Sequence, residues 1–113
     1  MKLVIAIIQP HRLEEVKKAL YAADVNLITV SEVLGHGREK SVDEIYRGSK
    51  ETGNLLRKIR LEIAVNDNFV DPTVKAIMRG GKTGKVGDGK IFILSLERCV
   101  RIRTGEEGHD AIG

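Results

Sequence analysis

Residues 3–8, Leu-Val-Ile-Ala-Ile-Ile, are apolar on both faces of any strand they form. In a strand, successive side chains point to opposite sides. Leu3, Ile5 and Ile7 therefore share one face, and Val4, Ala6 and Ile8 the other. A strand with one face in water alternates apolar and polar residues, and this one does not. It has to sit inside a sheet that is covered on both sides. Ile91-Phe92-Ile93-Leu94-Ser95-Leu96 repeats the pattern, with Ile91 and Ile93 set against Phe92, Leu94 and Leu96.

The segments between these strands read in order. Pro10 ends the first strand, and Leu13, Val16, Leu20 and Ala23 recur at helical spacing, which predicts a helix over residues 12–23. Residues 27–34 are rich in β-branched side chains and read as a second strand. Residues 58–66 alternate, with Leu61, Ile63 and Val65 on one face, and form a third. Val70, Val74 and Ile77 place a second helix over 69–79, with Asp67 as its expected N-cap. Val100 to Arg103 reads as a short edge strand. The last ten residues are polar and show no core role.

The order is strand-helix-strand, long loop, strand-helix-strand. Four strands and two helices in that order specify a ferredoxin-like βαββαβ plait within an α+β class, as one domain spanning residues 1–113. Both helices then cover one face of the sheet. The other face is too apolar for a lone protomer in strands one and four, so self-association is expected to bury it.

Composition excludes several classes. The chain has 19 basic and 16 acidic residues and a formal charge of only +3. That balance, with two Tyr, two Phe and no Trp, disfavours nucleic acid as a partner. No run of about 18 apolar residues is present to cross a membrane. The apolar amino-terminal run is too short for a signal segment. A single cysteine, Cys99, rules out an internal disulfide, and the location expected is the cytoplasm, with Cys99 a buried, inert thiol.

Residues 80–90, Gly-Gly-Lys-Thr-Gly-Lys-Val-Gly-Asp-Gly-Lys, hold five glycines and three lysines. Glycine lets backbone N–H groups approach a ligand, and lysine adds positive charge, so the segment is a candidate anion cradle. It is not a Walker A loop: Ala76 stands where the first glycine belongs, and a helix precedes it where a strand should. Arg101 and Arg103, two apart on the expected edge strand, would share a face suited to phosphate. Gly35-His36-Gly37-Arg38 is a third basic, Gly-rich element, at the head of a polar segment of about 20 residues. A segment that long without apolar periodicity has a function of its own or lacks fixed order. His11, His36 and His109 are scattered, and no zinc-binding or nucleophilic catalytic grouping is readable.

Thr83 to Phe92 resembles the nucleotide-loop signature of the PII signal-transduction family. So do Tyr46-Arg47-Gly48-Ser49 and Arg101-Ile102-Arg103-Thr104-Gly105-Glu106, in the right order and over essentially the whole chain. The resemblance implies a homotrimer that is not an enzyme and that binds ATP or ADP between subunits, with Mg accompanying ATP. Gly87, Asp88, Gly89 and Lys90 would cradle the phosphates of one subunit's nucleotide, and Arg101 and Arg103 would reach them from the neighbour. Thr29, Gly35, Gly37 and Arg38 would make further contacts, with Ile7 and Ala64 at the adenine. A nucleotide loop near residues 82–90, a T-loop near 37–54 and a C-terminal loop near 101–113 follow from the same resemblance. The T-loop, mobile until a partner binds, would meet an ammonium channel, glutamine synthetase or another nitrogen-metabolism protein through Arg47, Ser49 and Glu51.

The chain departs from the family pattern at three places. Glu39 replaces the Gln expected beside Mg and 2-oxoglutarate, and Ser41 replaces a Gly close to that ligand, in a region that also holds Lys40 and Lys58. Glu51 replaces the tyrosine that many members modify. Lys58 matches the lysine that pairs with a 2-oxoglutarate carboxylate, and Ser49 matches a position phosphorylated in some members. A weakened 2-oxoglutarate response is therefore expected. The alternative reading is a slow ATPase in the same intersubunit cleft.

Overall fold

The computed structural model of the chain describes residues 1–37 and 55–113. Strand β1 (Lys2–Ile8) leads through a 3₁₀ turn at Pro10–Arg12 into helix α1 (Leu13–Ala22). Pro10 suits that first turn because its N–H would have no helical acceptor there. Helix α1 stops at Asp24, whose φ of 61° is left-handed. The Val25 N–H then reaches back to the Leu20 carbonyl at 2.9 Å, closing the last turn. Strands β2 (Thr29–Gly35) and β3 (Leu56–Val65) follow, and then α2 (Val70–Gly81), β4 (Lys90–Ser95) and a short α3 (His109–Ile112).

The strands form one antiparallel sheet in the order β2-β3-β1-β4, the expected plait. The register puts Val4, Ala6 and Ile8 of β1 beside Ile63, Leu61 and Ile59 of β3. These side chains are buried under Val16 and Leu20 of α1 and Ala76 and Ile77 of α2. Burying a side chain such as Leu20 or Leu61 contributes about 1.5–3 kcal/mol. The helices touch closely where α2 ends. A Cβ added at Gly80 would lie 2.5 Å from the Val16 Cα, so only glycine allows that crossing. Gly80 and Gly81 thus belong to the helix and its packing, and the Gly-rich loop proper begins at Lys82.

On the other face, Leu3, Ile5 and Ile7 sit beside Leu94, Phe92 and Lys90. Phe92 and Leu94 are 48% and 46% exposed, so the apolar face expected in strands one and four is present on the protomer. It covers only half the sheet. On β3 the same face carries Lys58, Arg60 and Glu62, with an Arg60–Glu62 ion pair at 3.0 Å.

Three local expectations are corrected. Asp67 does not cap a helix: its carboxylate accepts from the Met1 ammonium at 2.8 Å, with Lys2 at 3.6 Å, and Asn66 precedes the turn. Val100 to Arg103 is not a strand. Val100 makes one isolated bridge to Glu107, and the Gly105 N–H bonds the Arg101 carbonyl at 2.8 Å, which makes a turn. Cys99 is half-buried, not buried. The carboxy-terminal residues have no core role, as expected: none of them is buried, and they meet the body through a surface contact in which the Asn66 amide donates to the His109 carbonyl at 3.3 Å. The expectations for Arg38, Glu39, Lys40, Ser41, Arg47, Ser49 and Glu51, and for a mobile T-loop, fall outside the described residues.

Candidate functional site

The loop between α2 and β4 is built around two contacts that the sequence alone does not announce. The Asp88 carboxylate accepts from the Thr83 hydroxyl, from the Thr83 N–H at 2.9 Å and from the Gly84 N–H at 2.9 Å. The Thr83 hydroxyl, then the Thr83 N–H, and more weakly the Gly84 N–H and the Arg12 charge, hold the Asp88 carboxyl below its ordinary value against the opposing effect of desolvation. Asp88 therefore shapes the loop from within. The sequence reading counted it in the loop that cradles the phosphates; its carboxylate itself is engaged by Thr83 and Gly84 of that same loop. The second contact is the Gln9 amide, which donates to the Gly87 carbonyl at 2.7 Å and ties the loop to the end of β1.

Glycine is required where the loop returns to the sheet. Gly87 and Gly89 have φ of 104° and 103°. A Cβ at Gly89 would lie 1.7 Å from the Ile7 carbonyl oxygen. The loop can lie flat on the end of β1 only because that atom is missing. Arg12 secures the other end, donating from Nε to the Gly80 carbonyl at 2.8 Å at the C-terminus of α2.

These contacts frame a cleft of about 610 Å³. Of the residues expected at the nucleotide, Ile7, Gly35, Gly37, Gly87, Gly89 and Lys90 line it. Lys58 lines it too, only 7% exposed. The described lining holds two lysines and no carboxylate, because Asp88 is turned into the loop. His36, Val86 and Phe92 complete the wall. Each belongs to a motif readable in the sequence, but nothing there distinguished them from their neighbours. Gln9 carried no local signal at all.

The remaining expected residues lie elsewhere. Ala64 pairs with Leu3, and Ile7 pairs with Arg60, so four residues of β1 separate Ala64 from the cleft, about 13 Å. Thr29 lies six residues from Gly35 along β2, about 20 Å. Ala64 instead lines a smaller cleft of about 190 Å³ with Leu27, Ile112 and Gly113. Arg101 is held at this far end through the carboxy-terminal segment. Its Nη1 donates to Glu106 at 3.3 Å, and its Nη2 donates to the Asp110 carbonyl at 3.0 Å and to the main-chain oxygen of Gly113. Arg103 is exposed and makes no ion pair among the described residues. One protomer thus carries the expected site as two separate halves.

Among the described residues no cluster of three or more His, Cys, Asp and Glu is placed to hold a metal ion, and no helix is long and apolar enough to cross a membrane.

Comparison with known proteins matches the same chain throughout its length. The family model for nitrogen regulatory protein P-II matches residues 1–106. Nitrogen regulatory protein GlnK1 of Methanosarcina mazei is 53% identical over 114 residues, covering 99% of this chain and 97% of the relative. Nitrogen regulatory protein P-II of Rhizobium etli is 49% identical over 112 residues, covering 99% of this chain and 100% of the relative. The crystal structure of Arabidopsis thaliana PII bound to citrate superposes with a TM-score of 0.80 at 32% identity, covering 98% of this chain and 88% of that one.

Proposed function

The chain belongs to the P-II family of nitrogen regulatory proteins, and on that premise we propose that it is an adenine-nucleotide sensor acting in the cytoplasm. It assembles as a homotrimer, binds ATP (with Mg on the phosphates) or ADP between subunits, and acts on nitrogen-metabolism proteins through residues 37–54. An ammonium channel and glutamine synthetase are the partners of the expected kind.

The observation that carries the reading is the division of the site. Ile7, Gly87, Gly89, Lys58 and Lys90 meet at one end of the sheet, and Thr29, Ala64 and Arg101 stand toward the other. No single protomer brings them to one ligand. A head-to-tail contact, in which one end of a protomer meets the opposite end of the next, joins the two halves, and such contacts close into rings when the rotation allows. The apolar band in which half-buried Leu3 and Ile5 lie beside exposed Phe92 and Leu94 supplies a surface that such a ring would cover. The Arabidopsis relative was solved with citrate, which supports a place for small carboxylate anions in proteins of this shape. Lys58 lines the cleft, and it is the residue that matches the lysine pairing with a 2-oxoglutarate carboxylate in the family.

The test is calorimetry with ATP and with ADP, combined with sedimentation. Nucleotide binding at one site per subunit, to a particle of three times 12.5 kDa, is expected. Arg103→Ala should weaken ATP binding by about 1.5–3 kcal/mol, the worth of a charged hydrogen bond, without dissociating the particle. A 12.5 kDa monomer or unchanged ATP affinity in the variant overturns the reading. Steady ATP turnover by the unmodified chain would favour the slow ATPase instead.

A further inference from the structure

The carboxy-terminal segment stands where the second half of the proposed site has to receive a ligand. Glu106 places a carboxylate on Arg101 Nη1 at 3.3 Å, and the Asp110 carbonyl and the main-chain oxygen of Gly113 take Nη2. A phosphate grips a guanidinium bidentately, either side-on through Nε and Nη2 or end-on through Nη1 and Nη2. Both modes need Nη2, and its two N–H groups are already engaged. Independently, Ile112 stands across the 190 Å³ cleft from Ala64, and His109 is tethered to Asn66 two residues beyond it. The same short segment thus occupies the arginine and flanks the alanine. Its turns are made at Gly105 and Gly108, both with φ of 73° and, among the described residues, with open space where a Cβ would stand.

We infer that residues 106–113 are a built-in competitor for this half-site, so that gripping of a nucleotide phosphate by Arg101 and docking of α3 exclude each other. Glu106 stands in for the phosphate at Arg101, and Ile112 takes the apolar position beside Ala64. Nucleotide binding expels the segment, which converts occupancy of a buried cleft into a change on the outer surface. The inference rests on the reading of Arg101 and Ala64 as nucleotide contacts.

The test uses the full chain in its assembled form. Hydrogen exchange is followed over residues 104–113 with and without saturating Mg-ATP, and ATP affinity is measured for three proteins: the unmodified chain, Glu106→Gln and a chain ending at Gly108. ATP should accelerate exchange in residues 106–113. Glu106→Gln should bind ATP about two- to five-fold more tightly, the range of a partly exposed ion pair. The shortened chain should gain at least as much. ATP bound with residues 106–113 equally or better protected, or variants that bind no tighter, overturns the competitor and leaves the nucleotide reading standing. Failure of the unmodified and shortened chains alike to bind ATP overturns both.

Discussion

Gly89 lies so close to Ile7 that any side chain would strike the Ile7 carbonyl oxygen, at 1.7 Å from the position of a Cβ. The contact joins the Gly-rich loop to the central strand of the sheet. It fixes where the loop's N–H groups stand relative to Lys58 and Lys90.

Gly89→Ala should therefore destabilise the protein by about 3 kcal/mol or more, since backbone overlap adds to the strain of a positive φ, and should abolish ATP binding. Gly84→Ala is the control. Gly84 has a φ of 87° but, among the described residues, nothing within 4 Å of its would-be Cβ, so only the strain of about 1–2 kcal/mol remains. Urea unfolding and ATP calorimetry on both variants check the contrast. Equal losses in the two would mean that the Ile7 contact does not matter.

Acid should open the same loop late. Hydrogen bonds from Thr83 and Gly84 hold Asp88 below its ordinary value of 3.8. A depressed carboxyl adds stability that is complete above the unfolded-state value and is lost as pH falls through the folded one. Protection of the Thr83 and Gly84 amides should hold from neutrality down to the ordinary carboxylate range and fail below it. Asp88→Asn should remove much of that protection at pH 7. Amide exchange read by NMR decides it, and rapid exchange of both amides in the unmodified chain at neutral pH would contradict the closed loop.

Thr73 is fully buried in α2, and its hydroxyl oxygen has no hydrogen-bond partner among the described residues. An unpaired buried hydroxyl costs about 1–3 kcal/mol, part of which an apolar replacement of the same shape recovers. Thr73→Val should be neutral to about 1 kcal/mol more stable in chemical denaturation. A loss of 1 kcal/mol or more would show that the hydroxyl is satisfied in solution.

Glu39 should weaken 2-oxoglutarate. Two like charges at about 4 Å oppose each other by several kcal/mol at an effective dielectric near 20, and a carboxylate bound directly to Mg would fill a position the ligand needs. Glu39→Gln should tighten 2-oxoglutarate binding to the ATP-loaded protein. Calorimetry showing micromolar affinity in the unmodified chain, or no gain in the variant, rejects the substitution as the cause.

Hydrophobic periodicity in the sequence alone determined the element order, the βαββαβ plait and the core on the helix side of the sheet. Val4, Leu61 and Val16 were legible because each repeats at the period of its own element, and periodicity is a local property. Which residues act together was decided by the tertiary structure. Strand register carried Ala64 and Thr29 away from Ile7, although a shared motif family had put all three at one ligand. Asp88 turned inward because Thr83 and Gly84 offered unpaired N–H groups within reach. Arg101 closed on Glu106, Asp110 and Gly113 through a turn that no apolar pattern encodes. Polar contacts of this kind depend on where the backbone leaves its unpaired donors, and that is settled only when the elements pack.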